Sequence, residues 1–357
     1  MKNFLSFLSL LFGVLAVSCN QKPQSDCLII DLTNHKSLPV EQIALFDISE
    51  SIQIIPLETN DSVLLGRISS VKLEANKLYI RASNGVFVFD IHGNFLNTVG
   101  SKGRGPKEYI YLHEIYPENN IVWLIDDSGK KALKYTDSGI FLESFDFDKL
   151  RFTDYYYSGA DVFIGFVPDL GQPKTNIMLA FFSPTEMIDS VCYRNPMLKN
   201  GTTVMFYSPE ITFINYGNRI KLKHLFNDTI YHLLSNKLYP DAVLHLGQGR
   251  ANENARNEAA HQDPKVIDLF KGMDQTLLYG ENAQYIFLKV EDALFFYDKQ
   301  GQKVHKWEFS LPDDKRLDSE QAKKWAPVCI DKYGNLTGTT TPTDPEDNPV
   351  VIIAKLK

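Results

Sequence analysis

Residues 100–112 read Gly-Ser-Lys-Gly-Arg-Gly-Pro-Lys-Glu-Tyr-Ile-Tyr-Leu, which puts Lys102, Arg104, Lys107, Glu108 and Tyr109 at short range. Guanidinium and ammonium groups beside a phenol suit a carboxylate or a polar sugar, because charge-assisted hydrogen bonds are the strong ones. A nucleotide is excluded. A phosphate cradle needs Lys-Ser/Thr after its last glycine, and here Pro106 follows Gly105. Arg104, Lys107, Glu108 and Tyr109 are therefore the candidate ligand-binding residues. The plainer alternative has Tyr109 packed between elements and Arg104 solvated.

Other chemistry is scarce. The chain has no HExxH, no G-x-S-x-G and no EF-hand loop, and its eight histidines show no paired ligand spacing. Setting Cys19 aside leaves Cys27, Cys192 and Cys329, an odd number without CxxC spacing, so no disulfide framework is implied. A net charge of −7 argues against a nucleic-acid partner, which would want a concentrated basic surface.

The elements that must position these residues repeat. Val86–Leu96, Ala132–Leu142 and Leu294–Val304 each carry an apolar strand, an aromatic residue, Asp or Thr, two free positions, Gly and a second apolar strand. The glycine permits the positive φ of a tight hairpin, and the short polar side chain satisfies turn backbone. From Gly93 to Gly139 is 46 residues, 47 more reach Glu186 and another 50 reach Asn236. The 65 residues from Asn236 to Gly301 are too many for one unit, and apolar residues at helical spacing within Arg250–Gln275 predict a helical insertion there. Cys329–Leu336 reads as a final copy, leading to the strand Val350–Leu356. Five hairpins and an incomplete sixth predict an all-β, six-bladed β-propeller over residues 48–357. The spare strand Ile52–Leu57 is expected to complete the last blade, leaving no long unpaired edge.

The amino terminus predicts export. Lys2 precedes an apolar run from Phe4 to Val17, too short to span a bilayer and right for a signal peptide over 1–18. Leu15-Ala16-Val17-Ser18-Cys19 resembles the bacterial lipobox, so Cys19 is the expected lipidation site. Residues 19–47 are then a lipidated tether, mostly extended or added to a sheet edge.

The Gly-rich run looks like the G-x-x-G-x-G-P-G-x-[FY] signature of NHL repeats, with Lys107 in place of the second glycine of that pattern. Together with Phe89–Leu96, Asp228–Tyr231 and Ile54–Thr59, it is similar to the 6-bladed β-propeller lipoproteins (NHL-repeat and TolB-like) of gut and oral Gram-negative bacteria. The resemblance implies a cell-envelope lipoprotein; the absence of an acidic run immediately after Cys19 favours a periplasm-facing place on the outer membrane, and a protein, peptide or glycan is the expected ligand, with no cofactor. The resemblance implies, as the alternative, a calcium-dependent lactonase-like hydrolase or lyase with its metal in the central channel, for which Glu114, Asp126 and Asp154 are the nearest ligand candidates. A binding module is the expected function. The run at 100–109 is expected at the channel mouth, because loops between blades deliver each innermost strand to the axis.

Overall fold

The structure is a computed structural model and describes residues 27–61, 63–147, 152–168, 177–192, 209–247, 250 and 274–357. The expected signal peptide, Cys19 and nearly all of the expected helical insertion lie outside the described residues.

Six antiparallel sheets follow one another along the chain as the blades of a propeller. The first comprises Ile68–Glu74, Lys77–Ala82, Gly85–Asp90 and Phe95–Thr98, and the second Leu112–Glu118, Ile121–Asp126, Lys131–Thr136 and Phe141–Asp146. The third is Asp154–Gly159, Val162–Phe166, Ile177–Phe182 and Met187–Cys192. The fourth is Ile211–Tyr216, Arg219–His224, Thr229–Leu234 and Lys237–His245, and the fifth Thr276–Glu281, Tyr285–Val290, Ala293–Asp298 and Lys303–Ser310. In each of these the strand order follows the chain from the axis outward. The sixth mixes both ends: Cys329–Ile330, Leu336–Thr340 and Val350–Leu356 are completed by Ser49–Pro56. Ser49–Pro56 pairs antiparallel with Val350–Leu356, with Ile54 opposite Ile352 and Ile55 opposite Val351, so the expected closure is present.

The repeated hairpin chemistry explains the turns. Asp90 accepts the backbone N–H groups of His92 and Asn94 at 2.8 and 2.9 Å, and Gly93 takes φ +89°. Thr136 accepts from the Ile140 amide, and Gly139 takes φ +86°. Asp331 repeats the pattern with Tyr333 and Asn335, and Gly334 takes φ +84°. That last turn, however, joins the first two strands of the sixth blade, whereas the other copies join third to fourth. The same local chemistry serves either reversal, so it marks a hairpin and not its place in a blade.

In its described part, the stretch expected as a tether or edge addition is an edge addition. Leu28–Asp31 pairs parallel with the outermost strand of the fourth blade, and Val40–Ala44 with that of the fifth. Ile30 and Leu32 are buried there beside Leu244 and Phe295. These strands cover two outer edges that would otherwise expose unpaired backbone. Each core cluster lies between neighbouring blades; Tyr79 and Val88 of the first, for example, pack with Leu124, Leu133 and Tyr135 of the second.

Candidate functional site

Because successive strands alternate in direction, the connections between blades share one face of the ring, here the loop face. The turns between first and second strands, and between third and fourth, share the opposite face.

The run at 100–109 belongs to the loop face but not to the channel mouth. Tyr109 is buried between the first two blades with Tyr79, Leu124 and Tyr135, and burial raises its phenol pKa. Its amide donates to the Ser101 carbonyl at 3.0 Å, and its carbonyl accepts from the Gly103 amide at 2.9 Å. The Tyr135 hydroxyl donates to the Lys107 carbonyl. The Lys107 ammonium stands 5.4 Å from the Phe141 ring centroid. Tyr135 and Phe141 lie on the third and fourth strands of the second blade, so the run covers that blade's outer half. Glu108 accepts the Gly105 amide at 2.8 Å and closes the local turn, while Arg104 is exposed. The physical reason for the displacement is Tyr109, whose large ring is buried only by drawing the run outward into the wedge between blades.

The channel is lined instead by innermost strands that are stitched blade to blade. Glu114 of the second blade faces two cations of the first, Arg81 Nε at 3.6 Å and Lys72 Nζ at 3.7 Å. Arg81 also donates to the Leu112 carbonyl at 3.1 Å. Burial alone would raise the Glu114 carboxyl, but Lys72 and Arg81 hold it below the usual range. Tyr116 donates to the Tyr155 carbonyl at 2.6 Å, joining second blade to third, and Tyr156 stacks on Phe213 of the fourth at 5.3 Å. The Leu278 amide donates to Thr212, Tyr279 to the Pro327 carbonyl, and Cys329 to the Val71 carbonyl, which completes the circuit.

On the loop-face side of the channel, Asp154 is buried and accepts from the Thr153 hydroxyl at 3.3 Å. Burial, together with the nearby Glu210 carboxylate, pushes its carboxyl up to about 7. Glu210 in turn lies 3.1 Å from His224 Nε2. His113 meets Tyr155 edge-on at 5.4 Å, and burial pushes its imidazole below the ordinary value. The arrangement offers donors and acceptors of both signs around one opening.

The three carboxylates considered for calcium do not fit that ion as a set. Asp126 is fully buried, and its oxygens accept the amides of Ile110, Tyr111 and Gly129 at 2.9, 2.9 and 3.0 Å. Glu114 is engaged by two cations, and Asp154 faces the fourth blade. Among the described residues, no three His, Cys, Asp or Glu side chains gather as a metal site.

Near the opposite face, Glu281 accepts from Lys221 and Lys299, each at 2.6 Å, and Lys221 also reaches Asp241 at 2.6 Å. The Tyr216 ring lies 5.1 Å from the first ammonium and 4.4 Å from the second. Sequence reasoning missed Lys72, Arg81, Glu210, His224 and this network. Lys72 and Arg81 meet Glu114, and Lys221 meets Glu281, across blades. Glu210 meets His224, Lys221 meets Asp241 and Lys299 meets Glu281 from different elements of one blade, so no local spacing announces any of them.

The chain matches the family model described as Domain of unknown function (DUF4934) over residues 27–344, and it belongs to that family. Among solved structures it is similar to a Bacteroides fragilis NCTC 9343 protein described as exported, at 15% identity and TM-score 0.67, over 92% of this chain and 99% of that one. It is also similar to a DUF4221 family member from Bacteroides vulgatus ATCC 8482, at 9% identity and TM-score 0.50, over 87% of this chain and 98% of that one. No curated protein matches it.

Proposed function

We propose that this DUF4934 member is a cell-envelope binding module, exported, lipidated at Cys19 and held on the periplasmic side of the outer membrane. Its ring takes a polar ligand, a peptide or a glycan, at the loop-face opening of the channel. The observation that carries the reading is the group of charged side chains around that opening, Lys72, Arg81, Glu114, Asp154 and Glu210, supported on a ring whose blades are stitched to one another. Lys72 and Glu114 keep 34% and 23% of their side-chain surface exposed, so the pair is accessible as well as oriented. Preorganised groups lower the ordering cost of binding. The lipobox-like Leu15–Cys19 and the exported Bacteroides fragilis relative support the location.

Two measurements test it. Cys19→Ala should move the protein from the membrane fraction to the soluble fraction; continued membrane association contradicts the anchor. Glycan and peptide arrays probed with the purified chain should return one binding class that Lys72→Ala weakens about tenfold, the cost of one charge-assisted hydrogen bond. Binding that survives Lys72→Ala and Glu114→Gln unchanged contradicts the channel site.

A further inference from the structure

The amino-terminal segment meets the ring at one place on its rim. Leu28–Asp31 runs parallel to Lys237–His245, so, traced backwards, it heads toward the turn before Lys237, between the third and fourth strands of the fourth blade. Cys27 and Ile29 line an open cavity with Gln302 and Lys303, in and just after the third-to-fourth turn of the fifth blade. Burial raises the Cys27 thiol pKa, and the Asp241 carboxylate, which is 2.6 Å from Lys221 near the face opposite the loops, adds to it. The segment therefore joins the ring from that opposite face. Cys19 precedes Cys27 by eight residues, a reach of at most about 28 Å, so a lipid on Cys19 keeps the bilayer surface close to this sector of the rim.

The same sector differs from its neighbours in charge. All five third-to-fourth turns of this face are described. Those of the second and third blades carry Asp137 and Glu186 and no cation. Those of the fourth and fifth, with the residue that follows each, carry Lys237, Lys299 and Lys303 and no acid. Nearby carboxylates are committed elsewhere: Glu281 holds Lys299, Asp298 accepts the Gln300 amide, Asp189 accepts from Asn236, and Glu41 accepts from Trp307. Lys237 and Lys303 are exposed and form no ion pair among the described residues. Each has an apolar companion in the open. Ile29, 68% exposed, shares the cavity with Lys303, and Leu234, 59% exposed, pairs with Lys237 across the hairpin. Exposed apolar side chains among lysines suit the boundary of an anionic bilayer, and in a chain of net charge −7 the sector runs against the overall balance.

We propose that this sector of the rim seats on a membrane surface carrying anionic headgroups, with Lys237 and Lys303 at the headgroups and Ile29 and Leu234 at the boundary beneath them. The proposal rests on the lipid at Cys19 put forward above: the lipid holds the chain to the bilayer, and the rim sets how the ring stands on it. The ring then leans on its fourth and fifth blades. The acidic outer turns of the second and third blades are lifted from the surface, the inner turns stand clear of it, and the loop-face opening points away from the bilayer.

Vesicles of phosphatidylethanolamine and phosphatidylglycerol bearing the lipidated full chain test the seating. A fluorescent amino acid is placed at Gln302, on this sector, or at Arg104, on the loop face, both exposed, and the vesicles carry a nitroxide quencher at headgroup depth. Quenching at position 302 should exceed that at position 104. The excess should be lost in high salt, in phosphatidylcholine vesicles, and after Lys237→Glu combined with Lys303→Glu. Equal quenching at the two positions, or an excess at position 302 that survives the double substitution, would overturn the seating and leave the anchor in place. A chain whose mass shows no lipid on Cys19 would overturn the anchor, and the seating with it.

Discussion

Ile55, near the amino-terminal end of the described chain, lies opposite Val351, near its carboxyl terminus, and both are buried in the seam of the sixth blade. The ring is therefore closed by a pairing that joins residues almost 300 positions apart. Deleting residues 48–58 removes that strand and exposes a long sheet edge together with Val351 and Ile353. The chain should then lose its cooperative thermal transition and aggregate. The milder Ile55→Ala should cost about 2–4 kcal/mol by chemical denaturation. An unchanged melting curve after the deletion would show that the seam does not hold the ring.

Two glycines with positive φ should respond differently to alanine. At Gly93, φ is +89° and a Cβ would sit 2.0 Å from the Pro56 carbonyl oxygen, which is backbone and cannot turn aside. At Gly217, φ is +59° and nothing lies within 4 Å of the added carbon. Gly217→Ala should cost about 1 kcal/mol, the conformational term alone. Gly93→Ala should cost several times more, read as the shift in denaturant midpoint. Equal shifts would show that the close approach at Gly93 is relieved without cost.

Glu281, 4% exposed, bridges Lys221 and Lys299, and Asp241 supplies the second negative charge at Lys221. Glu281→Gln leaves both cations without that charge, and breaking a buried pair from one side costs about 3–5 kcal/mol. Adding Lys221→Met to Glu281→Gln should recover part of the loss. A double-mutant cycle by urea denaturation measures the coupling, and strict additivity would show that the pair contributes no joint stability.

Asp154 makes stability depend on pH. Burial and the nearby Glu210 carboxylate push its folded-state carboxyl up to about 7, against an ordinary 3.8 in the unfolded chain. Below that lower value both states hold the proton and there is no cost. Between the two values the unfolded chain releases it first, so stability falls as pH rises, and above about 7 the full cost is present. Asp154→Asn keeps an acceptor for Thr153 and removes the titration. It should match the wild type near pH 4 and exceed it at pH 8 by up to about 4 kcal/mol. A constant difference at both pH values would contradict a raised carboxyl at this position.

The fold was legible because its information is local and repeated. Asp90-x-x-Gly93 and Thr136-x-x-Gly139 announce hairpins within a few residues, and the 46-residue spacing between their glycines announces blades. Even the closure was legible, since Ile52–Leu57 had no other partner in the repeat. The site was less so. Glu114 stood out as a carboxylate near an innermost strand, but its partners Lys72 and Arg81 come from the preceding blade. The run at 100–109 misled for a related reason. Its charges suggested an opening, yet its position is decided by where Tyr109 finds burial, which depends on Tyr79, Leu124 and Tyr135. The edge strand Leu28–Asp31 follows polar residues and has only four positions, too few to show an alternation of its own.

Site-specific photo-crosslinking in intact cells tests whether binding occurs at the loop-face opening of the channel. A benzophenone amino acid is placed at His113, beside that opening, and separately at Asn218, in a turn on the opposite face. A discrete adduct is expected from position 113, diminished by Lys72→Ala, and none from position 218. An adduct from position 218 alone, or one from position 113 indifferent to Lys72→Ala, would contradict binding at that opening.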